Sequence, residues 1–91
     1  MYHILPYTKH QAKQLGVEVY PSKDATKKID VYKNGTFVTS IGASGMLDYP
    51  QYLRTKGIEY AKERRRLYKI RHQKDRTKVG TAGFYADRLL W

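Results

Sequence analysis

Hydrophobic and polar positions change their spacing along the chain, and each change marks a different kind of element. Over residues 17–20 and 28–41 apolar residues alternate with polar ones, which is typical of half-buried strands. Over residues 49–78 they recur at about 100° per residue, the spacing of a helix. The last eight residues hold five large apolar side chains, which predict a short helix docked on other apolar surface.

The dipeptide Asn34-Gly35 is the clearest local signal. It separates two strand patterns, 28–33 and 36–41, and is the favoured pair for a two-residue type I′ turn. The residues that such a turn places opposite each other are Tyr32 with Phe37, Val31 with Val38, and Ile29 with Ser40. A further strand at 17–20 ends at Pro21.

Helix boundaries follow from capping residues. Thr8 with Gln11 predicts a capping box that opens a short helix, and Gly16 predicts its end. Asp48 predicts the N-cap of the later helix. Gly57 leaves two possibilities, one long helix or a short helix followed by a second that begins at Ile58.

These elements predict a single α+β domain over residues 1–91. It consists of an N-terminal arm and short helix (1–16), a small antiparallel sheet of two or three strands (17–42), a basic helical segment (46–78) and a docked C-terminal helix (79–91). On the helical segment, one apolar face is expected to collect Tyr49, Leu53, Tyr60 and Leu67.

Charge is concentrated in the helical segment. Residues 49–78 hold 11 of the 18 lysines and arginines but 3 of the 8 acids, a net charge of +8 out of +10 for the chain. Such a cluster favours a polyanionic partner over mere solubility. The residues predicted to bind a polyanion or an acidic partner are Arg64, Arg65, Arg66, Lys69, Arg71, His72, Lys74, Arg76 and Lys78. Arg64 and Arg71 project on the apolar side, where an arginine with a purely structural role is the competing interpretation.

Aromatic and aliphatic residues supply the second candidate surface. Tyr, Trp and Leu offer large contact areas, and aromatic residues are enriched at protein interfaces. The residues predicted to pack against a partner are Tyr60, Tyr68, Phe84, Tyr85, Leu89, Leu90 and Trp91.

Several chemical classes receive no support from the sequence. The chain has no cysteine, and its three histidines do not show a metal-ligand spacing. Acidic, histidine and serine residues form no catalytic pattern, so an enzyme, a cofactor and a small-molecule substrate are not expected. No apolar run approaches the roughly 20 residues of a membrane span.

Four features between about residues 28 and 91 occur together: the hairpin KIDVYKNGTFVTSIGA, Gly45 with Asp48 and Tyr49, the pair Arg71-His72, and the closing segment from Thr81 to Trp91. In these features the chain resembles a small family of basic proteins encoded by large DNA viruses of the chlorella-virus and giant-virus type. Where that family commonly has tryptophan after TAGF, this chain has Tyr85.

The resemblance implies a viral origin and a non-enzymatic role in the virion, and it brings no catalytic residue or ligand. The function expected first is a minor capsid or cement protein that bridges larger capsid proteins. It would be found in the virion, and in the host cytoplasm or virus factory during assembly. The alternative is a viral protein that binds or condenses DNA without sequence preference.

Overall fold

A three-stranded sheet follows one helix and precedes three others along the chain. The computed structural model describes residues 2–91 and has the α+β fold that the sequence predicts. The helices are α1 (Pro6–Leu15), α2 (Tyr49–Thr55), α3 (Ile58–Arg71) and α4 (Ala82–Leu90), and the strands are β1 (Glu18–Pro21), β2 (Lys27–Lys33) and β3 (Thr36–Ala43).

The sheet is antiparallel in the order β1-β2-β3. Asn34 and Gly35 both have positive φ, 52° and 78°, as a type I′ turn requires, which confirms the predicted hairpin. One face of the sheet is buried beneath α1 and α4. The core residues on that side are Ile4, Ala12, Val17, Ile29, Val31, Ile41, Phe84, Tyr85, Leu89 and Leu90.

The register predicted for the hairpin is correct only beside the turn. Tyr32 lies opposite Phe37, but Val31 lies opposite Thr39 and not Val38. A bulge at this point leaves one extra residue on β3, so that two residues of β3 correspond to one of β2. Because side chains alternate across a strand, the bulge turns Ile41 to the core face, where it pairs with Ile29 in place of the predicted Ser40.

The N-cap of helix α1 lies three residues earlier than predicted. Its N-cap is Leu5, without a side-chain hydrogen bond, and the expected capping box at Thr8 and Gln11 is wrong. Thr8 is buried and its hydroxyl donates to the carbonyl oxygen of Leu89 at 2.8 Å. The hydroxyl that would otherwise cap a helix is therefore used in a tertiary hydrogen bond. The predicted stop at Gly16 is confirmed by a left-handed conformation, φ 72°.

The basic segment is two helices. Asp48 is the N-cap of α2, as predicted, and it also forms a capping box with Gln51. Gly57, with φ 90°, separates α2 from α3 and decides the question that the sequence left open. The break changes the direction of the chain, so the predicted continuous apolar face is wrong. Tyr60 is 47% and Leu67 37% exposed, and Ala61 is the buried residue of α3.

Close packing at Gly42 gives the first prediction. Its φ is 78°, and an added Cβ would lie 2.9 Å from Leu90 Cδ1 and 3.1 Å from Lys28 Cβ. Gly42→Ala should therefore combine backbone strain of about 1–2 kcal/mol with overpacking of about 1–3 kcal/mol. In urea unfolding, the free energy of unfolding should fall by the sum of the strain and overpacking terms.

Gly45→Ala is the matched control, because Gly45 also has a positive φ, 86°, but open space around its Cα. It should lose only the backbone strain of about 1–2 kcal/mol. Equal losses for the two variants would contradict the close approach of Gly42 to α4.

Candidate polyanion-binding groove

A buried ion pair fixes α2 to the sheet and forms one wall of a groove. Nζ of Lys28, on β2, donates to Oδ2 of Asp48 at 2.9 Å, and the two side chains are 5% and 1% exposed. The Tyr2 hydroxyl donates to the same carboxylate oxygen at 2.7 Å. Burial, and then the negative charge of Asp48, raise the pKa of the Tyr2 phenol and keep it a donor.

Some cations of the basic segment are held by carboxylates. Lys69 Nζ donates to Oδ1 of Asp87 at 2.7 Å, and Arg76 Nη1 lies 3.9 Å from Oδ2 of that buried carboxylate. On the surface of α3, Arg66 makes a two-pronged pair with Glu63, whose shorter N–O distance is 2.6 Å. These three predicted site residues are therefore charge-paired within the domain.

Arg65 is used for packing. Its guanidinium carbon lies 4.4 Å from the centre of the Tyr49 ring, a close cation–π contact that joins α3 to α2. Arg64 makes a longer contact with Tyr52, at 5.6 Å. The structural interpretation was made for Arg64 and Arg71. It describes Arg64 only in part, and the closer packing contact is made by Arg65, to which it was not applied.

Besides Arg65, four of the predicted cations lack a carboxylate partner in the described part of the chain. Within residues 2–91, no carboxylate oxygen lies within 4.0 Å of the charged nitrogens of Arg64, Arg71, Lys74 or Lys78. Arg71, Lys74 and Lys78 are exposed, while Arg64 and His72 are half-buried. The arginines and lysines among them carry positive charge that no carboxylate of residues 2–91 neutralises.

Three of these residues and His72 border one groove between α3, the end of β3 and the loop that follows it. Its first part is a cavity of about 280 Å³ lined by Arg64, Arg71 and His72. The second part, about 490 Å³, is lined by Lys27 and Lys78 and by one carboxylate, Asp75, and shares His72 with the first. We call the two parts together the basic groove.

Aromatic rings line the first part of the basic groove. Trp91 stacks on Tyr68 with ring centres 4.4 Å apart and planes 8° from parallel. The His72 ring also lies against Tyr68, with ring centres 4.3 Å apart. Burial, and then the nearby charge of Asp87, raise the pKa of Tyr68 to about 12. Met46, 63% exposed, and Leu47, 39% exposed, stand on the opposite side. The groove therefore combines unpaired cations with planar and apolar surface.

The residues predicted to pack against a partner divide into two sets. Phe84, Tyr85, Leu89 and Leu90 are buried in the chain's own core, so the interpretation of these four as partner anchors is wrong. The C-terminal helix presents one strongly apolar side, and the sheet supplies the surface that covers it. Tyr60, Tyr68 and Trp91 remain at least partly exposed.

Sequence reasoning did not select four residues of the groove for either of its two predicted binding surfaces. Lys27, Met46, Leu47 and Tyr52 are brought to it by the course of the chain around the sheet. The sequence places Met46 and Leu47 directly after the Gly42–Gly45 corner, but it does not show which residues face them in the folded chain.

The described residues were compared with metal sites, membrane-spanning helices and known proteins. Within residues 2–91 no three His, Asp or Glu side chains gather as a metal site would require, and no helix has the length and apolar character to cross a bilayer. Comparison with family models, curated proteins and solved structures finds no match to the chain. The resemblance to viral basic proteins stays a prediction.

The Asp87 carboxylate should contribute to the free energy of unfolding. Asp87→Asn leaves Lys69 and Arg76 without their counter-charge, at a cost of about 2 kcal/mol, less than a fully buried pair because Lys69 keeps access to water. Chemical denaturation checks this. Glu63→Gln, which breaks the exposed pair with Arg66, should leave the free energy of unfolding nearly unchanged. A large loss in the Glu63 variant, or none in the Asp87 variant, would reverse this assignment.

Proposed function

We propose that the chain is a non-enzymatic viral protein that binds DNA through backbone phosphates, with the basic groove as its contact surface. The observation that supports this best is that Arg64 and Arg71 are unpaired in the same groove as Lys27 and Lys78. Unpaired cations attract phosphates and release the counterions condensed on DNA. Cations that already hold a carboxylate, such as Lys69, contribute less.

The proposed binding has no sequence preference. Contacts to phosphates position a protein on nucleic acid but carry no sequence information directly. The groove lining contains no asparagine or glutamine, the side chains that read adenine edges, and its arginines and lysines, which can also read guanine, are here assigned to phosphates. Together with the resemblance to proteins of large DNA viruses, these features favour a role on the packaged or replicating viral genome, in the virion or the virus factory.

Salt dependence tests the proposal. Affinity for a short DNA duplex should fall steeply with salt, because the slope of log K against log[salt] grows by about 0.9 for each phosphate contacted. The double variant Arg64→Ala/Arg71→Ala should flatten that slope by about 1–2. Fluorescence anisotropy over a series of salt concentrations measures it.

Lys9→Ala/Lys13→Ala is the control, since it removes the same charge from exposed positions of α1, outside the groove lining. Its slope should match the unmodified chain. Equal flattening in both double variants would mean that net charge alone, and not the groove, determines binding.

A second candidate function is the minor capsid or cement protein. Leu67 and Ile70, one turn apart on α3, are 37% and 59% exposed, and Ile58 on the same helix is 53% exposed. Apolar residues that alternate with charge on an exposed helix suit contact with another protein. This surface replaces the four C-terminal anchors that lie in the chain's own core.

Particle fractionation separates the two functions. Under the cement hypothesis, the protein stays with the shell after nuclease and high salt, and Leu67→Ser/Ile70→Ser lowers its incorporation severalfold. Val79→Ser, which removes an 81% exposed apolar side chain outside α3, serves as control. Release of the unmodified protein by nuclease or salt would count against cement and in favour of genome binding.

A further inference from the structure

We infer that the first part of the basic groove accepts a single unstacked nucleobase, so that the preferred ligand is single-stranded nucleic acid and not duplex. This inference rests on the proposed function and specifies the class of its ligand. The observation behind it is the juxtaposition, in one cavity, of unpaired Arg64 and Arg71 with the aromatic residues Tyr52, Tyr68 and Trp91.

The size of the cavity sets the scale of the ligand. Its volume of about 280 Å³ lies just below the roughly 300–1,000 Å³ typical of small-molecule sites. One planar base with part of its sugar is of that scale, whereas a base pair within a duplex is stacked on both sides and has no face to present. Entry therefore requires a base that is already unpaired or is turned out of the stack.

The lining offers both parts of such a ligand a matching surface. Trp91 and Tyr68 cover one face of each other and His72 lies 4.3 Å from Tyr68, so the planar surface left for a base is the part of Trp91 that lines the cavity. Every base has a π-face, so stacking tolerates any sequence. Met46 and Leu47 add exposed apolar contacts from the loop on the other side. This lining serves a base better than it serves a bare phosphate.

Phosphates have their own contacts at the rim. Arg71 is exposed and Arg64 half-buried, and within residues 2–91 neither has a carboxylate within 4.0 Å. The groove continues from His72 toward Lys27 and Lys78, which gives the neighbouring phosphates of a strand further cations. A charged channel beside a stacking surface is the general design of proteins that bind single strands.

Trp91 reports on the cavity directly, because it is the only tryptophan of the chain and lines the cavity. The full chain is titrated at one salt concentration with oligothymidylate, with a duplex of the same length, with inorganic polyphosphate and with polyglutamate. Calorimetry gives the affinity and Trp91 fluorescence gives the occupancy of the cavity.

A base in the cavity should quench Trp91 with oligothymidylate and not with polyphosphate, at equal saturation. Oligothymidylate should bind more tightly than the duplex by on the order of tenfold, the gain from stacking one base. Ala43→Phe, at an exposed position that lines the cavity, should remove the quenching and the preference but retain polyphosphate binding. Thr36→Phe, exposed at the hairpin, is the matched control and should keep both.

The remaining outcomes overturn the inference in distinguishable ways. If oligothymidylate, duplex and polyphosphate bind equally without quenching, the groove is a phosphate surface only, and the proposed DNA binding survives. If polyglutamate alone changes Trp91 fluorescence, the cavity serves an acidic protein segment. If no polyanion binds, the proposed function fails as well. The comparison of the four ligands on the unmodified chain decides among these even if the Ala43 variant does not fold.

Discussion

The buried pair of Lys28 and Asp48 is the constraint on which the arrangement of the helices depends. Removing two charges from water costs free energy that their attraction offsets only when their remaining hydrogen-bonding groups are satisfied. Here the Asp48 carboxylate also accepts from the Tyr2 hydroxyl and from the backbone N–H of Gln51, and Lys28 Nζ donates in addition to Gln51 Oε1. One carboxylate thereby joins the N-terminal arm, strand β2 and the start of α2.

The position of α3 follows from this anchor. Helix α2 is tied to the sheet, Gly57 sets the turn after it, and α3 packs back on α2 through Ala61 and the Arg65–Tyr49 contact. Trp91 closes the arrangement because it packs against both hydrophobic clusters, the one beneath the sheet and the one between α2 and α3. The basic groove is the space that this folding-back leaves between α3 and the end of β3.

The fold also divides the cations of this strongly basic chain into two groups, those that pair with a carboxylate of the chain and those that do not. Asp87 is buried on α4 and draws Lys69 and Arg76 toward the core, while Glu63 pairs with Arg66 on the surface. Net charge is thus a poor measure of binding capacity, since a paired cation has already lost much of its attraction for a phosphate. The cations without partners, Arg64 and Arg71 among them, give the groove its potential.

Local chemistry allowed the sequence by itself to determine the α+β class, the Asn34-Gly35 turn, the cap at Asp48 and the stop at Gly16, because each depends on residues close in the chain. Tertiary structure alone decided the rest. The bulge in β3 places Ile41 on the core face of the sheet. The Thr8 hydroxyl donates to the distant carbonyl of Leu89 and does not cap a helix. The apolar residues of the C-terminal helix pack against the sheet. The basic segment was recognisable from composition, but which of its cations stay unpaired depends on carboxylates such as Asp87, whose position only the folded chain establishes.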